Sequence, residues 1–107
     1  MKLWIDDVRP APEGYVWVKS VYEAQRAIEI FEGLQCANIN YPDTYEKIEL
    51  IDTDHDSGDF GPPDYIKLLD WLEETGRNYP IHIHSMNPVG AANMRVIIKR
   101  NGWKEVF

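Results

Sequence analysis

Four aspartates stand in two short runs, Asp6-Asp7 and Asp54-His55-Asp56. Each run follows a stretch that reads as a β-strand. Carboxylates gathered in one low-dielectric cleft repel one another strongly. A hard divalent cation relieves that repulsion, and magnesium takes one or two carboxylates together with water and phosphate oxygens. Asp6, Asp7, Asp54 and Asp56 are therefore the candidate metal ligands, for Mg2+ or the similar Mn2+. The plain alternative is that each acid caps a turn or helix and stays solvated. His55 lies between two of the acids, and His84 closes another strand. Two imidazoles at the ends of adjacent strands could serve as acid and base near neutral pH, or as ligands for a transition metal. His82 and His84 alternate with Ile81 and Ile83, which a strand with one polar face would also produce.

Ser85-Met86-Asn87-Pro88-Val89-Gly90 places a hydroxyl and an amide at the start of an expected helix. Free N–H groups and the helix dipole there suit a phosphate. Asn before Pro is equally a normal helix cap. Ser85 could be a nucleophile, although no Ser-His-Asp spacing compels it. Arg9, just after the acidic pair, either binds phosphate in a bidentate way or neutralises Asp6 or Asp7. Trp4, Trp17, Trp71 and Trp103 read as core rather than as a stacking platform, and Cys36 belongs to no metal-ligand pattern. Neither GxGxxG nor a Walker A sequence is present.

The elements that must position these groups come from the rest of the chain. It has 107 residues, 44% hydrophobic and 27% charged, the composition of one ordinary globular domain. Eleven Lys and Arg against 18 Asp and Glu give a net charge of −7, which excludes long-range attraction to nucleic acid. One cysteine allows no intrachain disulfide and suits a reducing compartment. No apolar run has the length of a membrane span or of a signal peptide's core. The expectation is a soluble, cytoplasmic protein with residues 1–107 as a single domain.

Strands are expected at 3–5, 15–18, 48–52 and 81–85, with a short last one over 103–107. Ser20-Val21-Tyr22-Glu23 has the form of a capping box and opens a helix over about 21–32, stopped by Gly33. Residues 34–47 read as a loop with a short helical turn. Gly61-Pro62-Pro63-Asp64 breaks the chain before a second helix, whose stripe is Ile66, Leu69 and Leu72 and whose end is near Gly76. Asn87-Pro88 opens a third helix that ends near Gly102. Alternating strands and helices argue for an α/β fold with a mostly parallel sheet. Ligands of such sheets sit beyond the carboxyl ends of the strands, so the acids, the histidines and Asn87 all meet at one edge.

Three segments then stand out together: Leu-Trp-Ile-Asp-Asp-Val-Arg-Pro-Ala-Pro at 3–12, Asp-His-Asp at 54–56 and His-Ser-Met-Asn-Pro-Val-Gly at 84–90. They resemble the cyclic-phosphate-processing receiver-like family, a divergent branch of response-regulator receiver domains, over nearly the whole chain. The resemblance implies a flavodoxin-like three-layer α/β sandwich with a four- or five-stranded sheet. It also implies a role in sensing or hydrolysing cyclic phosphate ends, linked to RNA repair or conflict systems. By position, Asp6 and Asp7 match the receiver's metal-binding acids, and Asp54 its phosphoacceptor and metal ligand. Ser85 matches the hydroxyl residue that touches the phosphoryl group, while His55 and His84 belong to the subfamily pattern. Only eight residues, Asp7 to Gly14, separate the first two strands, so the usual first helix is replaced by a proline loop. The chain stops where a fifth strand and last helix would stand, and the receiver lysine has no match; Lys104 is nearby but unassigned.

These readings converge on metal-dependent binding and hydrolysis of a phosphoester, a cyclic phosphate on a nucleotide or RNA end being the expected partner. Asp54, His55 and His84 would be catalytic, and Arg9, Ser85 and Asn87 would hold the phosphate. The alternatives are a phosphoacceptor module built on Asp54, or a non-catalytic domain that binds a protein partner.

Overall fold

The computed structural model describes residues 1–37, 47–56 and 64–107, with side chains described outside 34–37. Most of the loop expected over 34–47, the Cys36 side chain, Ser57-Gly58-Asp59 and the Gly61-Pro62-Pro63 break lie outside these residues. Four strands form one parallel sheet: β1 (Lys2–Ile5), β2 (Tyr15–Val18), β3 (Leu50–Thr53) and β4 (Ile81–Ile83), in the order β2-β1-β3-β4. Three helices accompany them: α1 (Val21–Ala37), α2 (Ile66–Glu74) and α3 (Pro88–Asn101). Among the described residues no helix is long and apolar enough to cross a membrane.

The register sorts the side chains. Leu3, Ile51 and Ile81 are aligned across the sheet, as are Ile5, Thr53 and Ile83, and all six are buried. With the two-residue period of a strand, Trp4, Asp52 and His82 lie on the opposite face. The crossovers from β2 to β3 and from β3 to β4 step in one direction across the sheet. Right-handed connections therefore put their helices on one face. α1 packs on α2 and α2 on α3, and Ala24, Ile28, Leu68, Leu72, Met94 and Ile98 close one core with the apolar strand face.

Among the described residues, the truncation expected from the sequence takes the form of a missing helix between β1 and β2. Residues 6–14 run from the end of β1 back to the start of β2 without a helix. Nine extended residues reach about 30 Å, whereas the return along a four-residue strand needs about 13 Å, so a loop suffices. Trp4 Nε1 donates to the Arg9 carbonyl (2.9 Å) and Trp17 Nε1 to the Asp6 carbonyl (2.7 Å), which ties this loop to the face a helix would otherwise cover. Gly14, at φ 86°, makes the turn into β2. The last residues give only a rudiment of a fifth strand. Ile81 N–H donates to the Lys104 carbonyl and Val106 N–H to that of Ile81 (2.9 and 2.8 Å), around a parallel bridge to Glu105.

Helix ends follow the capping chemistry with one correction. Ser20 Oγ accepts from Glu23 N–H and the Glu23 carboxylate from Lys19 N–H, both at 3.0 Å, closing the expected box one residue early. α1 does not stop at Gly33 but continues to Ala37. Gly33 has no positive φ. An interior glycine costs a helix about 1 kcal/mol without ending it. α3 has the expected cap: Asn87 Oδ1 accepts from Gly90 N–H (3.0 Å), Pro88 opens the helix, and Gly102 takes the left-handed conformation after it (φ 67°).

Glu32 on α1 receives the Arg77 guanidinium through Nε and Nη2 (3.0 and 2.8 Å) and the Tyr79 hydroxyl. Burial alone would raise its carboxyl, but Arg77 and Tyr79 outweigh burial and hold it below its usual value. A group depressed on folding adds stability above its unfolded pKa, about 4.3 for Glu, and loses it as pH falls through the lower folded value. The melting temperature is therefore expected to drop on acidification below about pH 4, and more shallowly in Glu32→Gln. An unchanged slope in that variant, followed by circular dichroism, would refute the assignment.

Candidate functional site

Asp6 follows β1 and is fully buried. Its Oδ1 accepts from Val8 N–H (2.8 Å) and Arg9 N–H (2.9 Å). Its Oδ2 faces His84 Nε2 at 3.0 Å and Arg9 Nε at 3.4 Å. An ionised carboxylate offers about four acceptor positions, and these four contacts occupy them. Burial pushes the Asp6 carboxyl up, yet the Arg9 and Val8 amides and His84 prevail and hold it below the usual carboxylate range.

His84 bridges two acids. Its Nδ1 lies 2.5 Å from Asp52 Oδ1, in addition to the Nε2 contact with Asp6. A neutral imidazole carries one N–H. Two such bonds need one proton more, on the ring or on one of the carboxyls. The ring lies flat on the Trp4 indole, with centroids 3.8 Å apart and planes 4° from parallel. Because Trp4 also holds the Arg9 carbonyl, and Arg9 N–H is bound by Asp6, the contacts close a circuit through Asp6, Arg9, Trp4 and His84. Asp52 and Trp4 escaped the sequence reading because both sit inside strands. The signal available was register: an acid between Ile51 and Thr53 must face the polar side with His82, one step from His84.

Asp54 carries the site toward α3. Its Oδ1 accepts from His55 N–H at 2.7 Å, and its Oδ2 is 3.8 Å from Arg9 Nη2. At 3.4 and 3.8 Å the Arg9 contacts are ion pairs rather than hydrogen bonds. His55 Nδ1 bonds Asp56 Oδ1 (2.7 Å), and the same oxygen accepts from Asn87 Nδ2 (3.2 Å). The His55 bond, then the Asn87 bond, keep the Asp56 carboxyl below its usual value. The His55 ring rests on Gly90 so closely that an added Cβ would overlap it. Ser85 Oγ accepts from Asn87 N–H (3.0 Å), so Ser85 and Asn87 shape the α3 entrance as well as facing the edge.

The aspartates expected as one ligand set divide into two groups. Asp6 and Asp54 share Arg9. Asp7 is half-buried, and the Tyr65 hydroxyl, already pushed up by burial, is raised further by Asp7, Asp6 and Asp54 together. That hydroxyl donates to the Lys19 carbonyl at 2.6 Å. Asp56 instead joins His55 and Asp64, whose ligand atoms lie within 4.8 Å of one another. Asp64 was not among the sequence candidates. A cation between Asp6 and Asp54 does not fit these contacts, since Asp6 is saturated and Arg9 already spans the pair. The His55, Asp56 and Asp64 set fits one by donor type: an imidazole with two carboxylates suits manganese or a later transition metal better than magnesium.

The family model described as the cyclic-phosphate processing receiver domain matches residues 1–100. No curated protein and no solved structure matches the chain. With its acidic pair, its Asp-His-Asp run and its His-Ser-Met-Asn-Pro segment brought to one edge of a parallel sheet, the chain belongs to the cyclic-phosphate processing receiver domain family.

Proposed function

We propose that the domain binds a cyclic phosphate ester, of the kind carried by nucleotides and RNA ends, and opens it by hydrolysis. The observation that carries this reading is the His55–Asp56–Asn87 chain at the N-terminus of α3. A carboxylate on Nδ1 fixes the ring and leaves Nε2 as the nitrogen for proton transfer. Nε2 takes a proton from water as the water oxygen bonds to phosphorus. The bond from phosphorus to the ring ester oxygen breaks, and that oxygen takes the proton back. Arg9, with a half-open guanidinium of five N–H donors, holds the phosphate oxygens beside Asp54, and the start of α3 adds its dipole.

A second reading puts a divalent ion on His55, Asp56 and Asp64, whose ligand atoms lie within 4.8 Å of one another, and His55 would then be a ligand in place of the proton carrier. When bound, the ion supplies Lewis-acid polarisation of phosphoryl oxygens. Phosphoacceptor chemistry is less well supported, because Asp54 Oδ1 is bound by an amide and Oδ2 faces Arg9.

The test is incubation with a 2′,3′-cyclic nucleotide, followed by phosphorus NMR, with manganese and with a chelator. Appearance of the ring-opened monoester supports hydrolysis. Turnover that survives chelation assigns proton transfer by His55, and turnover restored only by manganese assigns the ion. Binding without turnover replaces the hydrolase with a sensor, and no binding overturns the proposal.

A further inference from the structure

We propose that Arg9 is the resident counter-cation of the Asp6–Asp54 pair, so that these two carboxylates take a divalent ion only when Arg9 is removed. Receiver resemblance assigns this pair to metal binding, and the contacts here disagree with that assignment. Arg9 Nε stands 3.4 Å from Asp6 Oδ2 and Nη2 3.8 Å from Asp54 Oδ2. One guanidinium thus faces an oxygen of each acid, as a bridging cation would. Long surface ion pairs with an exposed arginine are weak, so the pairing distances alone would not place it. The backbone does. Arg9 N–H is held by Asp6 Oδ1 (2.9 Å), and its carbonyl by Trp4 Nε1 (2.9 Å). Both backbone polar groups of Arg9 are therefore committed, and the side chain starts from a fixed point beside the acids.

The other Asp6 contacts leave little for an ion. Its Oδ1 already holds two amides, and its Oδ2 holds His84, itself anchored by Asp52 and stacked on Trp4. A hard cation needs several oxygen ligands with open lone pairs. Here the negative charge of the pair is met by groups of the chain itself, which also keeps the Arg9 donors that point away from the acids available to an anion. The inference concerns charge compensation and stands whether or not the ester is hydrolysed.

The test uses Mn2+ as a paramagnetic probe on the full chain, with Asp56→Asn and Asp64→Asn in every protein to silence the neighbouring ligand set. With Arg9 intact, amide signals of residues 6–9 and 54 are expected to keep their widths as Mn2+ is raised to millimolar concentration. With Arg9→Ala added, those signals are expected to broaden selectively, with affinity at least tenfold higher, and Asp54→Asn is expected to abolish the gain. Selective broadening with Arg9 in place overturns the proposal, and so does an Arg9→Ala protein that gains nothing. If Arg9→Ala does not give a folded spectrum, Arg9→Gln, which keeps the stem and removes the charge, is read by the same two outcomes.

Discussion

Replacing His84 with alanine is expected to destabilise the domain by about 3–5 kcal/mol, the usual cost of stripping one partner from a buried ionic cluster. His84 is the group that Asp52 and Asp6 share, and both acids are nearly inaccessible to water, at 5% and 0% exposure. Asp6 would keep its two amides and Arg9. Asp52 would lose its His84 bond, and this is where most of the penalty falls. The stacking on Trp4, worth roughly 0.5–1.5 kcal/mol for aromatic pairs, is lost as well. Domains of this size have about 5–15 kcal/mol in total, so the variant should sit close to the unfolding threshold. Urea unfolding measures the loss. Pairing His84→Ala with Asp52→Asn should recover part of it, because the second change removes the charge left without a partner. A loss below about 1 kcal/mol, or no recovery in the double variant, would show that the two acids are satisfied without His84.

This cluster also shows what one-dimensional reading reaches and what it does not. The rule that ligands gather at the carboxyl ends of parallel strands was enough to bring Asp6, Asp54, His55, His84 and Asn87 to one edge, from segments far apart in sequence. Local chemistry placed β2 and the start of α3, because aromatic and β-branched residues favour strands and Asn-Pro favours a helix entrance. Of the pairings within the site, only that of Arg9 with the acidic pair was legible. Asp6 and Asp54 look alike as strand-end acids, yet one is saturated by amides and His84 while the other faces Arg9 and the His55 amide. Asp56 turns to His55 and Asn87, and only the path of the chain after β3 decides that. Gly33 failed as a stop because a glycine ends a helix by adopting positive φ, which the sequence does not reveal. Gly90 was read only as part of the 84–90 segment, because its role lies in the space it leaves for another element's side chain.

Gly90 therefore supplies the sharpest separation of site from scaffold. It is the third residue of α3, and its N–H is capped by Asn87. By helix propensity, alanine there should be neutral or favourable by up to about 1 kcal/mol. Its Cβ, however, would overlap Cγ, Nδ1 and Cδ2 of His55, and a rigid ring cannot absorb that by moving a flexible tip. The ring must swing off its seat. On the proposed mechanism, His55→Ala is expected to cut cyclic-ester turnover by about 10²–10⁴-fold, the range for loss of a general acid–base group. Gly90→Ala is expected to cost about 10²-fold, as a displacement of roughly 1 Å can, while its urea midpoint stays near that of the parent. Wild-type turnover in both variants would remove His55 from the chemistry. Loss in His55→Ala with full activity in Gly90→Ala would mean that the ring reacts from a position other than its seat on α3. A Gly90→Ala protein that unfolds early would instead make this contact part of the fold, leaving His55→Ala to decide the chemistry.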